Sequence, residues 1–214
     1  VSPAKVCLIP SGTDLELIRP LDPRACRQTL GLALEGAVIA FLGVLYPHQG
    51  VRTLLAAVPE ILRERPGTHV LIVGDGPARR PLEADAQALG LGASVAFVGR
   101  VPYDRVPLYL GAADCCVAPF TAQRGETSPL KLFDYLAAGR PVVASAIPAI
   151  ADLVKASGAI VTVPPEDPRL LAEEVVALLN DPRRRQLLGE AGRRYVEAHH
   201  GWDLLAKQLI SHCD

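Results

Sequence analysis

The sequence predicts an α/β fold, a doubly wound parallel sheet of about six strands flanked by helices. Three observations carry this. Short apolar, β-branched runs alternate with amphipathic segments at intervals of about ten to fifteen residues, as in repeated strand–helix units. The runs are apolar at successive positions, the mark of strands buried on both faces. Turns built from glycine, proline and aspartate follow the strands and would gather at one edge of the sheet.

In order, residues 1–20 contain one short apolar piece, VCLIP, then a Gly-Thr-Asp turn and a proline. A short helix is expected over 23–30. From Val38 the pattern is regular: strand VIAFLG, turn LYPHQG and helix 51–65, then strand HVLIVGDG and a helix over 78–90, interrupted early by Pro81. Strand SVAFVGRV, a short helix over 104–112 and strand DCCVAP follow. The stretch ETSPLKLFDYLAAGRPVVAS, 126–145, holds a complete unit. Ser128 suits an N-cap and Pro129 the first helical position. Leu132, Phe133 and Leu136 make one apolar face. Gly139 can end the helix in a left-handed conformation, Pro141 forbids its continuation, and PVVAS is the next strand. A short helix over 149–155 leads to AIVTV, the sixth strand, and the tail from Asp167 is helical. In that tail Arg183, Arg184 and Arg185 read as a solvated helix face beside Glu190 and Glu173 or as a basic patch. Trp202 is expected to pack the last helix onto the domain.

Composition narrows the function. Half of the 214 residues are hydrophobic and 21% charged, enough to bury a sizeable core. A formal net charge of −1 offers no electrostatic case for nucleic acid or anionic membrane as partner, and 5% aromatics argue against a stacking platform for single strands. No apolar run approaches a membrane span, and the opening residues lack a signal-peptide pattern. Cys7, Cys26, Cys115, Cys116 and Cys213 show no ligand spacing, and Cys115 and Cys116 read as core thiols. The histidines are scattered, so no metal site is legible and a reducing cytoplasm is expected. The chain begins with Val1 and contains no Met, which suggests a piece of a longer protein.

The chemistry concentrates in 126–145. The first amides of a helix carry partial positive charge and suit a phosphate. Glu126 before the helix and Asp134 within it, with seven residues between, would flank such a phosphate and could accept hydrogen bonds from sugar hydroxyls. A plainer reading pairs Asp134 with Lys131 at i, i+3 and leaves Glu126 a solvated loop acid. GVLYPHQG, from Gly43 to Gly50, is a glycine-flanked turn without the full dinucleotide fingerprint. GDGP, 74–77, is a tight strand exit whose aspartate and glycines read as shaping the backbone. His48 reads as a turn residue rather than a base, and Asp114 as a cap opening its strand.

These motifs resemble the donor-site signature of retaining glycosyltransferases with the GT-B fold, the large group 1 family that includes many bacterial polysaccharide and lipid glycosyltransferases. That signature is a Glu, seven residues, then a second Glu opening E-A-M-A-x-G-x-P-V-V-A. Here it stands as Glu126, Asp134 and YLAAGRPVVAS. IPSGTD followed by IRP resembles the stretch joining the two halves of these enzymes. The resemblance therefore implies residues 1–20 as the interdomain linker region and first strand. It implies 21–214 as a Rossmann-like, nucleotide-sugar-binding domain, the C-terminal half of a GT-B fold, with the N-terminal acceptor domain absent.

The resemblance also implies roles. Glu126 would be catalytic, contacting the transferred sugar, and Asp134 would bind the ribose. Amides around Ser128, Pro129, Leu130 and Lys131, with Gly43 and Gln49 of the first turn, would meet the diphosphate. Arg100 and Val101 would border the nucleobase, with Tyr103 nearby. Three positions depart from the pattern: Val44 and Gln49 stand where Arg and Lys are usual, and Asp134 where Glu is usual. Lys131 is the candidate for the missing charge, or else a partner for Asp134. The resemblance implies sugar transfer from a nucleoside diphosphate sugar to a glycan, lipid or other acceptor, with no metal or other cofactor and no nucleic-acid partner. Membrane contact would come only through the missing half, and this half alone is expected to be inactive. Rivals are a degenerate module that binds nucleotide sugar for regulation and a GT-B nucleotide-sugar epimerase.

Overall fold

The computed structural model describes residues 6, 8–123 and 130–212, and among them six parallel strands form one sheet. They are β1 Val38–Leu42, β2 His69–Val73, β3 Val95–Gly99, β4 Cys115–Ala118, β5 Val142–Ser145 and β6 Ile160–Val163. Their spatial order is β3-β2-β1-β4-β5-β6, so the chain winds outward from β1, crosses back and winds outward the other way. The reversal lies between β1 and β4. These two pair only at Ile39–Cys115 and Ala40–Cys116, whereas β1 and β2 pair from Val38–His69 through Leu42–Val73. At such a switch point a ligand crevice opens beyond the carboxyl ends of the strands.

Helices α2 Val51–Glu64, α3 Arg79–Ala88 and α7 Pro168–Asn180 cover one face. The other carries α4 Val106–Ala112, α5 Leu130–Ala137, α6 Ala151–Ser157 and α8 Pro182–His199, with α1 Pro23–Leu30 packed on α4. Helix α9 is Trp202–Ser211. In β1, Ile39 and Phe41 enter one core and Val38 and Ala40 the other. In β4, Cys115 and Val117 oppose Cys116 and Ala118 in the same way. No strand position is left for solvent there, which explains runs without alternation. The adjacent thiols are free, buried and on opposite faces.

Two prolines test the helix rules. Pro59 lies inside α2 and removes one hydrogen bond, a cost of about 3 kcal/mol. The same helix buries Leu54, Leu55, Val58 and Ile61 completely, at about 1.5–3 kcal/mol each, so burial wins. Pro81, expected to interrupt α3, instead sits in its first turn, where the N–H has no intrahelical partner in any case.

Within 1–20, where the resemblance implies a first strand, the described residues 8–12 form none, and Leu8 is 90% exposed. Thr13 makes an isolated parallel bridge with Gly201 instead. The segment 11–18 is nevertheless firmly docked. Thr13 N donates to His200 O at 2.8 Å, and Arg193 Nη1 donates to Ile18 O at 2.7 Å and to Ala137 O at 2.8 Å. His200 Nδ1 lies 2.9 Å from Ser11 O, and its ring stacks on Phe133.

Asp114 is the strand cap the sequence suggests. Its Oδ2 accepts from Val38 N at 2.8 Å and from Arg27 Nη2 at 2.7 Å, joining the starts of β1 and β4. In the tail, Arg184 pairs with Glu174, and Arg185 donates to Leu178 O and Leu179 O at the end of α7. Arg183 is exposed, as a solvated face requires, whereas the half-buried Arg184 and Arg185 bridge and cap helices. Trp202 is half-exposed, and Leu205 is the residue that docks α9.

Candidate functional site

The switch point gathers the turn after β1, the turn after β3 and the start of α5. Lys131, in the first turn of α5, reaches across to the β1 turn. Its Nζ donates to Gln49 Oε1 at 2.6 Å and lies 4.0 Å from the centroid of Phe41 and 5.5 Å from that of Phe120. Gln49 is buried and closes a 3₁₀ turn, Pro47–Gln49, in front of α2. Gly43, at φ 144°, leaves room for this arrangement: a Cβ there would lie 2.7 Å from Lys131 Nζ. Below it, a Cβ on Gly74 would sit 1.9 Å from Gly43 O. The GDGP turn therefore shapes backbone, and Asp75 serves it by pairing with Arg79 at 3.2 Å.

One turn along the same helix, Asp134 faces other partners. Its Oδ1 accepts from Thr13 Oγ1 at 2.6 Å and from the Tyr103 hydroxyl at 3.2 Å. Burial holds its carboxyl above the ordinary value, and the two hydroxyl donors pull it part of the way back. Burial, and then the negative Asp134, push the Tyr103 phenol up to about 12, so it remains a donor throughout the neutral range. Tyr103 opens the 3₁₀ turn before α4, three residues after Arg100. Arg100 is exposed, while Val101 is half-buried against the α4–α5 side of the core.

Between these two groups Tyr135 is fully buried. Its hydroxyl accepts from Leu42 N at 2.7 Å, taking over where the pairing of β1 with β4 stops. One helix start at the switch point thus presents a cation to the β1 turn and a carboxylate to the β3 turn.

The family model described as glycosyl transferases group 1 matches residues 36–181. The chain belongs to this family. Its fold is the Rossmann-like half of a GT-B glycosyltransferase. Over 210 residues it is 32% identical to the GDP-mannose-dependent monoacylated alpha-(1-6)-phosphatidylinositol monomannoside mannosyltransferase of Corynebacterium glutamicum, covering 95% of this chain and 54% of that protein. Sucrose-phosphate synthase from Thermosynechococcus elongatus superposes with a TM-score of 0.84 at 31% identity, covering 96% of this chain and 51% of the other. The Anabaena protein HepE, in complex with UDP and glucose, also gives 0.84, at 21% identity over 96% of this chain and 55% of its own. The chain spans about half the length of each of these proteins.

In this chain the structure brings Gly43, Gln49 and Lys131 together, and joins Asp134 to Tyr103 beside Arg100 and Val101. Leu130 is the exposed first residue of α5. Glu126, Ser128 and Pro129 lie outside the described residues. The alternative pairing of Lys131 with Asp134 is not formed, since Lys131 binds Gln49 and Asp134 binds hydroxyls. His48 belongs to the 3₁₀ turn, stacked on Tyr46. A cavity of about 420 Å³ beside that turn, lined by Tyr46, Pro47, Pro81 and Glu166 among others, includes none of the candidate residues, so cavity shape does not locate the site.

Among the described residues no three His, Cys, Asp or Glu side chains cluster as metal ligands, and no helix is long and apolar enough to cross a membrane. Sequence reasoning missed Thr13, Phe41 and Tyr135. The Gly-Thr-Asp turn marks Thr13 only as a turn residue, and nothing local points to Asp134, which it meets across 121 residues.

Proposed function

We propose that this chain is the donor-binding half of a retaining glycosyltransferase that moves a sugar from a nucleoside diphosphate sugar to a glycan, lipid or other acceptor. The observation that carries the reading is Lys131 Nζ on Gln49 Oε1. The positive charge that Val44 and Gln49 lack arrives at the β1 turn from α5. This favours a working diphosphate site over a module that has lost it. When the bond from the sugar to the diphosphate breaks, its electron pair leaves with the β-phosphate. Lys131 and the amides of the α5 start would stabilise that charge, where preorganised groups help most. Asp134 would accept the ribose hydroxyls, Arg100 and Val101 would border the base, and Glu126 would orient the transferred sugar.

A GDP-mannose-dependent relative and a neighbour bound to UDP both support a nucleoside diphosphate as the ligand class. The acceptor would be bound by the other half of the parent protein, acting in the cytoplasm without a metal. An epimerase would share this donor site and differ in its product.

Calorimetric titration with UDP, GDP and ADP tests the reading. One of the three should bind, and Asp134→Ala should abolish or severely weaken that binding. Indifference of every nucleotide to the substitution would refute the site. In the parent enzyme, Glu126→Gln should reduce transfer more than donor binding.

A further inference from the structure

The carboxylate of Asp134 is held unusually. Two hydroxyls from distant parts of the chain, Thr13 Oγ1 and Tyr103 OH, donate to the same oxygen, Oδ1, at 2.6 and 3.2 Å. Among the described residues Oδ2 accepts no hydrogen bond. An ionised carboxylate offers about four lone-pair directions, and its terminal torsion is broad when nothing fixes it. Anchoring one oxygen therefore selects one orientation of the group and leaves the other oxygen for a ligand.

We propose that Thr13 and Tyr103 are positioning residues that lock the Asp134 carboxylate by Oδ1 and present Oδ2 to the vicinal diol of a bound ribonucleotide, and so set the preference for ribose over deoxyribose. The proposal rests on the donor-site reading of Asp134.

Thr13 is buried with its hydroxyl on Asp134, but that bond is not what anchors its segment. The segment bearing Thr13 is already tied down by Thr13 N on His200 O, by Arg193 on Leu15 O and Ile18 O, and by His200 on Ser11 O. Tyr103 is 48% exposed, so its ring is not a core residue, yet its hydroxyl is spent on a half-buried acid. Both donors favour the ionised form of Asp134, the form that accepts from a diol. Tyr103 also sits three residues beyond Arg100 in the turn proposed to border the base. The same turn would then report on base and sugar together.

The test is calorimetric titration of the 214-residue chain with UDP, GDP and ADP, and with the 2′,3′-dideoxy form of whichever binds. The wild type should prefer the ribo form, and Asp134→Ala should erase the preference. Tyr103→Phe and Thr13→Val should each cut it by about three- to tenfold, a loss of one oriented hydrogen bond, while affinity for the dideoxy form stays within about twofold. Thr13→Ser, which keeps the hydroxyl, should restore it.

A purely structural role would lower both affinities together or neither. An intact ribo preference in Tyr103→Phe, with Asp134→Ala losing it, overturns the positioning role and leaves the donor site standing. Persistence of the preference in Asp134→Ala overturns the donor-site reading itself, as does failure of all three nucleotides to bind the wild type. Tyr103→Phe, at a half-exposed position, keeps the test decisive if Thr13→Val does not fold.

Discussion

Replacing Lys131 with methionine separates charge from packing at the proposed diphosphate site. Methionine keeps an unbranched stem of similar length over Phe41 and beside Gly43, and removes only the ammonium. That ammonium has three donors, of which Gln49 takes one at 2.6 Å. A hydrogen bond to a charged partner contributes about 1.5–3 kcal/mol, so diphosphate affinity should fall about ten- to a hundredfold. A full charge 4 Å away, in a medium of effective dielectric about 20, bounds the loss near about 4 kcal/mol. The fold is also weakened: buried Gln49 Oε1 loses its donor, at about 1–3 kcal/mol, and the attraction of the ammonium to the Phe41 ring goes with it. A lower melting temperature is therefore expected alongside the binding defect. The control is the parent nucleoside, which has no phosphate to lose. Calorimetry with UDP, GDP and ADP, and ligand-observed NMR with uridine, guanosine and adenosine, should show a loss confined to the diphosphates. Equal losses for nucleoside and diphosphate, or diphosphate affinity within about twofold of wild type, would refute a phosphate contact by Lys131.

Two further outcomes concern stability. Because burial raises the folded carboxyl of Asp134 above its unfolded value, its ionised form destabilises the fold at neutral pH, and this penalty disappears as pH falls through the folded value. Asp134→Asn should therefore raise the melting temperature at pH 7.5 and show a shrinking gain as pH approaches the ordinary carboxylate range; a gain independent of pH would contradict it. Asp114→Ala strands Arg27, whose side chain is 7% exposed, and leaves Val38 N without its acceptor. Breaking one half of a buried pair in this way should cost about 3–5 kcal/mol in urea unfolding, and a loss below about 1 kcal/mol would show that Asp114 is dispensable.

The sheet was legible because its signal is local: strands that are mostly apolar at successive positions, helices with one apolar face, and glycine or proline after β1, β2, β4 and β6. Even so, local rules failed where position within an element decides, as with Pro81 in a first turn. Lys131 was legible as a charge but not by its partner. The spacing i, i+3 pointed to Asp134, whereas the backbone turns Lys131 toward β1 and Asp134 toward the turn after β3. Thr13 could not be found at all, because its contact spans 121 residues and exists only once the segment 11–18 docks on α8.

The departures from the family pattern gain a physical account from these long-range contacts. Gln49, in place of a cation, does not leave the β1 turn without charge. It is the neutral acceptor that draws the Lys131 ammonium over Gly43, a position no Cβ at residue 43 would allow. Asp134, one methylene shorter than the usual acid, is met from two sides by hydroxyls that fix where its reach is directed. In both cases the chemical group belongs to one element and its orientation to another. The site is therefore a property of the switch point, where the ends of β1, β3 and β4 bring those elements together, and not of the 126–145 motif alone.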